Sequence, residues 1–170
     1  MRRTAPVGLM VFWITGAAAL AQTHPDLSGT WKMDPSRSET AHQDVPVGQV
    51  SLVIGETGSE VVVEIRTNAK DRAAIANEKL TYRLDGAEST AVGDGQLPIV
   101  CKAHWDGADL VTETRRNLKD STVTTRWVFS MDPGGRELTV RKALTVQHGY
   151  QSPTVANNVG TAKDVFVKQR

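Results

Sequence analysis

Residues 99–112 read Ile-Val-Cys-Lys-Ala-His-Trp-Asp-Gly-Ala-Asp-Leu-Val-Thr, and this stretch decides the fold class. Apolar residues occupy every second position of its first half, which is the period of a strand with one buried face. Asp106-Gly107 then interrupts the alternation. An Asp-Gly pair between two alternating segments predicts a β-hairpin, because the central residues of a type I′ turn need positive φ. Taken as a two-residue loop, this pair places Ala103 opposite Leu110.

A second hairpin follows along the chain. Its turn is Asp-Pro-Gly-Gly at 132–135, and apolar residues alternate on both sides of it. If the turn is a four-residue loop, Phe129 lies opposite Leu138 and apolar side chains meet on the inward face. The same register places Lys142 on this inward face, opposite Thr125. Turn chemistry and alternation therefore predict the same strands independently.

Alternation of period 2 extends through most of the chain, whereas helical periodicity is scarce. Further strands are predicted at residues 50–54, 61–65 and 80–84, and a last strand is carried by Val165 and Val167. The predicted fold is all-β: an antiparallel up-and-down meander of about 8 to 10 strands, closed into a barrel so that no sheet edge stays exposed. Residues 71–78 form either a short helix or a long loop, and residues 149–160 form a loop over one barrel end.

The N-terminus has the features of an export signal. Arg2 and Arg3 precede an uncharged apolar run over residues 7–20, and Ala19 and Ala21 supply the small-residue pattern of a cleavage site. The run is shorter than the roughly 20 residues of a membrane-spanning helix, which disfavours an uncleaved anchor, and no second span follows it. The predicted organisation is therefore a signal peptide at 1–21, one domain at 22–170, and a periplasmic or secreted location.

Composition narrows the class of function. Residues 1–21 contain two of the 20 basic residues and none of the 19 acidic ones, so the remaining 149 of the 170 residues carry a formal net charge of −1. That balance gives no electrostatic reason to expect a nucleic-acid partner or an anionic membrane surface. The single cysteine, Cys101, excludes an intramolecular disulfide and is expected to be a small buried hydrophobe.

The start of the predicted domain resembles a known family. Gly29-Thr30-Trp31 resembles the Gly-x-Trp signature of lipocalins and their calycin relatives. The longer run at 28–38, Ser-Gly-Thr-Trp-Lys-Met-Asp-Pro-Ser-Arg-Ser, is similar to the N-terminus of exported bacterial lipocalin-like proteins, most of them without an assigned function. The similarity covers residues 27–169. The chain departs from typical lipocalins because it shows neither a sizeable helix before the last strand nor a disulfide.

This resemblance implies a lipocalin-like barrel whose narrow end is closed by Trp31, next to Gly29. It also implies a basic partner for the indole ring, either Lys168 or Arg170. A ring over an ammonium or guanidinium group would shield a cation that is otherwise costly to bury.

Lys142 is the most unusual residue of the predicted inward face. Thr112, Thr114 and Thr125 share that face, and a buried ammonium among hydroxyls needs an anionic partner. We expect the carboxylate of an apolar ligand to be that partner. The alternatives are a β-bulge that turns Lys142 outward, or a place at the barrel rim where it reaches water. Two tryptophans, Trp105 and Trp127, could line the same ligand cavity or simply belong to the core.

No catalytic, metal or cofactor site is expected. The four histidines lack the spacing of zinc ligands, and the chain holds no nucleophile elbow, phosphate loop or paired carboxylates; the histidines are His24, His42, His104 and His148. The leading hypothesis is an exported, non-catalytic protein that binds a small apolar or amphipathic ligand. The alternative is a protein-interaction or inhibitor module with a packed barrel and functional loops at 35–48, 70–79 and 149–160. A small-barrel enzyme is the third possibility.

Overall fold

Ten antiparallel strands form one sheet in the part of the chain that the computed structural model describes, which is residues 24–42, 48–68, 77–92, 97–149 and 158–170. The strands are β1 (Gly29–Met33), β2 (Gln49–Glu56), β3 (Glu60–Asn68), β4 (Glu78–Arg83), β5 (Ser89–Val92), β6 (Pro98–Asp106), β7 (Asp109–Leu118), β8 (Ser121–Met131), β9 (Glu137–His148) and β10 (Asn158–Lys168). The all-β, up-and-down prediction is confirmed.

The strand order curls the sheet into a nearly closed barrel. The order is β4-β3-β2-β1-β10-β9-β8-β7-β6-β5, so β1 pairs with both β2 and β10. Strands β4 and β5 stand at the two ends of this order, and β4 packs against β6 across the seam. There the Ser89 hydroxyl donates a hydrogen bond to the Thr81 carbonyl oxygen over 2.8 Å. The seam therefore closes through side chains rather than through a regular ladder.

The β6–β7 hairpin differs in register from its sequence prediction. Asp106 pairs with Asp109 and Ala103 with Thr112, so the loop is Gly107-Ala108 and the predicted register is wrong by two residues. Among the loop residues only Gly107 has positive φ, at 62°. Positive φ at the first central position alone is the pattern of a type II′ turn, which frees the aspartate to join the strand. A shift of two residues leaves every side chain on its predicted face.

The β8–β9 hairpin is shifted in the same way. Phe129 pairs with Val140 and Lys142 with Trp127, whereas the four-residue loop predicted Leu138 and Thr125 as the partners. The carboxylate of Asp132 is the cause. It accepts hydrogen bonds from the backbone N–H groups of residues 134, 136 and 137, over 3.0, 2.8 and 2.6 Å, and so holds a longer loop together.

Two short 3-10 helices, Pro35–Arg37 and Glu39–His42, continue the barrel wall beside β10 where β1 ends. The Ser38 hydroxyl exchanges hydrogen bonds with the backbone of Val165, accepting one over 3.0 Å and donating one over 3.2 Å. The predicted signal peptide at 1–21 lies outside the described residues, as do most of the 71–78 segment and the 149–160 loop.

The last strand faces the core in the opposite phase to the one predicted. Asp164 and Phe166 point inward and are fully buried, whereas Val167 on the other face is 38% exposed. Val165 is also on the outer face, but Ser38 and its neighbours cover it. Apolar residues lie on both faces of this strand, so alternation alone did not show which face points inward.

The two ends of the barrel differ. We call the floor the end that carries the β2–β3, β6–β7 and β8–β9 turns and the segment 24–28, and the mouth the opposite end. Large side chains fill the floor half: Leu27, Trp31, Leu52, Leu110, Phe129, Leu138 and Phe166 are all buried.

Within the described ranges, no helix is long and apolar enough to span a membrane.

Candidate functional site

A small cavity of about 40 Å³ lies in the mouth half of the barrel. It is bordered by the inward faces of β3, β4, β7 and β8. Its lining residues are Val63, Ile65, Glu78, Leu80, Tyr82, Thr112, Thr114, Arg116, Thr125 and Trp127. Four of the residues predicted to meet a ligand are thus brought together by the fold: the three threonines and Trp127.

The threonines stand side by side because of the register. Thr112 pairs with Trp127 and Thr114 with Thr125 across β7 and β8, so their side chains share one face. Thr112 and Thr114 are buried. Tyr82, on β4, also borders the cavity, and burial raises the pKa of its phenol well above its usual range. Hydroxyl groups therefore form one wall of the cavity.

An ion pair marks the edge of the cavity nearest the mouth. Arg116 of β7 donates from Nη2 to Oε1 of Glu78, the first residue of β4. The two side chains are 26% and 30% exposed, so each reaches both the cavity and solvent. Neither residue of this pair was among the candidate site residues predicted from the sequence. Arg116 is a charged residue that falls on the same predicted inward face as Thr112 and Thr114, and this position could have identified it.

Two exposed apolar side chains, Leu118 and Leu144, lie on the inward faces of the mouth half, and we call them the rim. Leu118 continues the inward phase of β7, and Leu144 that of β9. They are 42% and 43% exposed, although they follow buried residues on the same faces. The site is thus a pocket with apolar and polar walls beside an apolar rim.

Lys142 points inward, but its anionic partner comes from the protein. Its Nζ lies 2.5 Å from Oδ2 of Asp164, whose side chain is completely buried, and 4.7 Å from the centroid of the Trp127 ring. The Asp164 carboxylate also accepts hydrogen bonds from the backbone N–H and the hydroxyl of Thr40, over 3.0 and 2.8 Å. This network ties the second 3-10 helix to β9 and β10, so it has a structural role.

Trp105 and Trp31 belong to the floor. The Trp105 ring stacks on His24 with centroids 4.5 Å apart, and Trp105 is not among the residues that border the described cavity. Trp31 is fully buried, donates from Nε1 to the Leu27 carbonyl oxygen over 2.9 Å, and has Nζ of Lys168 at 5.1 Å from its ring centroid. Of the two basic partners that the resemblance implied, Lys168 is the one beside the indole, whereas Arg170 is exposed.

Gly29 explains part of the Gly-x-Trp motif physically. Its φ is +139°, which side chains rarely tolerate, and a Cβ there would lie 2.8 Å from Cε of Lys168. The glycine thus allows the lysine to reach the Trp31 ring.

In the described ranges, no group of three or more His, Cys, Asp or Glu side chains is arranged to hold a metal ion. Burial raises the pKa of the Cys101 thiol to about 11, so at neutral pH it is protonated.

The comparisons with known proteins concern the fold. No protein-family model matches the chain, and no curated protein matches it in sequence. Solved structures of low sequence identity share its barrel. Lipid binding protein 8 of Caenorhabditis elegans is 12% identical, with 84% of this chain and 94% of that chain covered and a TM-score of 0.52. Fatty-acid-binding protein 1 of Echinococcus granulosus is 14% identical, covers 83% and 96%, and has a TM-score of 0.50.

A secretory abundant heat soluble protein of Ramazzottius varieornatus is 18% identical, with 87% of this chain and 98% of that chain covered and a TM-score of 0.56. These likenesses show that the chain has a lipocalin- or calycin-like barrel fold. Membership of the exported bacterial group stays a prediction.

Proposed function

We propose that this chain is an exported, non-catalytic binding protein that holds a small amphipathic molecule in the mouth half of its barrel. One observation carries the proposal: a cavity lined by apolar side chains and a few polar groups lies next to an apolar rim. Binding sites for small molecules combine apolar walls with a few polar groups that fix the orientation of the ligand. Two structures that share the fold belong to proteins named for lipid and fatty-acid binding, which supports this class of ligand.

The size of the cavity limits what it can hold. Its volume of about 40 Å³ is far below the roughly 300–1,000 Å³ of pockets that enclose drug-sized ligands. A water molecule needs on the order of 10–15 Å³ of cavity volume, so the cavity has room for a few waters or one small polar group. We therefore place the polar part of the ligand in the cavity and its apolar part against the rim formed by Leu118 and Leu144.

Export is the second part of the proposal. It rests on the positive, apolar and small-residue regions of the first 21 residues. N-terminal sequencing of the protein recovered from the periplasm or medium of expressing cells tests it. We expect Gln22 as the first residue, whereas recovery of the uncleaved chain from the cytoplasm contradicts it.

Native mass spectrometry of the purified protein tests ligand binding first. We expect a stoichiometric small molecule to co-purify, and its release and identification would name the ligand class. The matched variants Thr125→Leu and Thr124→Leu make the test specific. Thr125 faces the cavity and Thr124 faces outward on the same strand. Thr125→Leu should lower the bound fraction, whereas Thr124→Leu should leave it unchanged.

A protein-interaction module is the second candidate, and the small volume of the cavity favours it. The floor half is filled, so such a module would use its loops rather than its interior. An apo mass, together with no change of tryptophan fluorescence across decanoate, longer fatty acids and haem, would support this candidate over ligand binding. An enzyme is less favoured, because the inward groups that could act as acid or base are already paired: Lys142 with Asp164, and Glu78 with Arg116.

A further inference from the structure

We infer that Arg116 receives the carboxylate of the ligand and that Glu78 occupies this position when the barrel is empty. The inference rests on the proposed function and deepens it, since it makes the ligand class a monocarboxylate with an apolar tail. It also moves the anion-binding role from Lys142, to which the sequence analysis assigned it, to a different residue.

The first argument is location. Arg116 and Glu78 both border the cavity, and they lie on its mouth side, above the hydroxyl groups of Thr114 and Thr125. A carboxylate in the cavity would meet the guanidinium and these hydroxyls together. Its tail would then extend toward Leu144. The polar groups of the small cavity and the apolar rim are thereby both used.

The second argument compares the two inward cations. A ligand carboxylate at Lys142 would have to displace Asp164, whose side chain is 0% exposed. Stranding a buried charge is strongly unfavourable. Glu78, in contrast, is 30% exposed at the first position of its strand, so a displaced carboxylate regains its hydration. Exchange of one carboxylate for another is therefore feasible at Arg116 and not at Lys142.

The third argument is the donor capacity of the guanidinium. The contact with Glu78 joins one nitrogen, Nη2, to one oxygen, Oε1. A guanidinium carries five N–H donors in a planar fork that matches a carboxylate in a bidentate fashion. A bound carboxylate can thus replace a single contact by a paired one.

Calorimetric titration of the purified chain with decanoate and with 1-decanol, which share an alkyl tail, tests the inference. We expect Arg116→Gln to weaken decanoate binding about tenfold or more, because a hydrogen-bonded ion pair is lost, and to leave decanol binding unchanged. Arg115→Gln is the matched control, since Arg115 is exposed on the outer face of the same strand. It should change neither affinity.

Glu78→Gln tests the role of the competitor. Removing its charge should strengthen decanoate binding and leave decanol binding unchanged. Glu113→Gln makes the same change of net charge on the outer face of β7 and should have a smaller effect. The double variant Arg116→Gln/Glu78→Gln covers the case in which Arg116→Gln alone unfolds the protein, because it leaves no unpaired charge; it should also lose decanoate selectivity.

The outcomes separate the two proposals. If decanoate binds and Arg116→Gln weakens it no more than Arg115→Gln does, the inference is wrong and the proposed function stands. If Glu78→Gln weakens decanoate binding, Glu78 is not a competitor and the inference is wrong in that part. If neither decanoate nor decanol binds to the wild-type chain, the proposed function and the inference fall together.

Discussion

The floor and the mouth of this barrel are built from the same strands, yet leucine side chains at the two ends differ in burial. Leu27 at the floor is completely buried, whereas Leu144 at the mouth is 43% exposed. The floor is closed by the segment 24–28, whose Leu27 carbonyl accepts the Trp31 indole N–H and whose His24 stacks on Trp105. Burial of apolar surface is the dominant favourable term in folding. The difference teaches that the floor is closed by apolar packing, whereas the mouth leaves large apolar side chains exposed.

The charge pairs follow the same division. Asp164 is buried against Lys142 and fixes the second 3-10 helix, so this pair belongs to the framework. Glu78 and Arg116 are partly exposed at the mouth, where an ion pair adds little stability and can be exchanged. Four predictions test how sharp this division is.

The largest effect is expected from breaking the buried pair. Lys142→Met removes the cation and leaves the Asp164 carboxylate buried with only Thr40 as a partner, which should destabilise the fold by about 3–5 kcal/mol. Urea unfolding measures this change. Arg141→Met on the next residue is the control, because Arg141 is exposed and its ion pair with Asp109 should contribute about 0–1 kcal/mol. Equal losses in the two variants would show that the buried pair is not part of the framework.

A pair of identical substitutions compares the two ends directly. Leu27→Ala creates a cavity in the packed floor and should cost about 2–5 kcal/mol. Leu144→Ala should change the free energy of unfolding by only about 0.5 kcal/mol, because surface substitutions rarely do more. The same samples, titrated with decanoate, should show the reverse order for affinity. A large loss of stability in Leu144→Ala would mean that the mouth is also part of the core.

The fold could be read from the sequence because turn chemistry and alternation agree over most strands. The registers were wrong by two residues, since an Asp-Gly pair does not specify which residues occupy the centre of the turn: Gly107 alone takes positive φ. Because the shift is even, Thr112, Thr114 and Thr125 still fall on the face that was predicted. The face on which a side chain lies can thus be predicted even where its cross-strand partner is not.

The charge partners could not be read from the sequence. Asp164 lies on a strand in which both phases carry apolar residues, so alternation gave no reason to place it inside. Glu78 meets Arg116 only because β4 packs across the seam of the barrel, a contact between residues 38 positions apart. Such groups meet only when the barrel closes, so no local sequence pattern predicts their contact.

Glycine substitutions give a third comparison of the ends. Gly29→Ala at the floor imposes a side chain on a φ of +139° and should cost about 1–3 kcal/mol. Gly160→Ala, on β10 opposite Leu144, meets no atom within 4 Å and has an ordinary φ, so it should be neutral or stabilising by about 0.5–1 kcal/mol. Thermal unfolding of both variants measures these shifts.

The double variant Gly29→Ala/Lys168→Ala separates backbone strain from the clash with Cε of Lys168. If the double variant recovers the lost stability, the close contact and not the backbone φ requires glycine.

The smallest effect concerns pH and one floor turn. The backbone N–H groups of residues 137, 136 and 134 donate to Asp132 and lower the pKa of its carboxyl below the ordinary value of 3.8. A group whose pKa is lower in the folded state adds stability above its unfolded pKa and loses it as pH falls through the folded pKa. The wild-type chain should therefore lose part of its stability as pH falls from 3.8 through the folded pKa.

Asp132→Asn should be less stable at neutral pH and lose less stability on acidification. Chemical unfolding of both proteins from pH 7 to pH values below 3.8 measures the two slopes. Parallel slopes would mean that the ionised carboxylate does not hold this turn, and that the floor is maintained by its apolar packing alone.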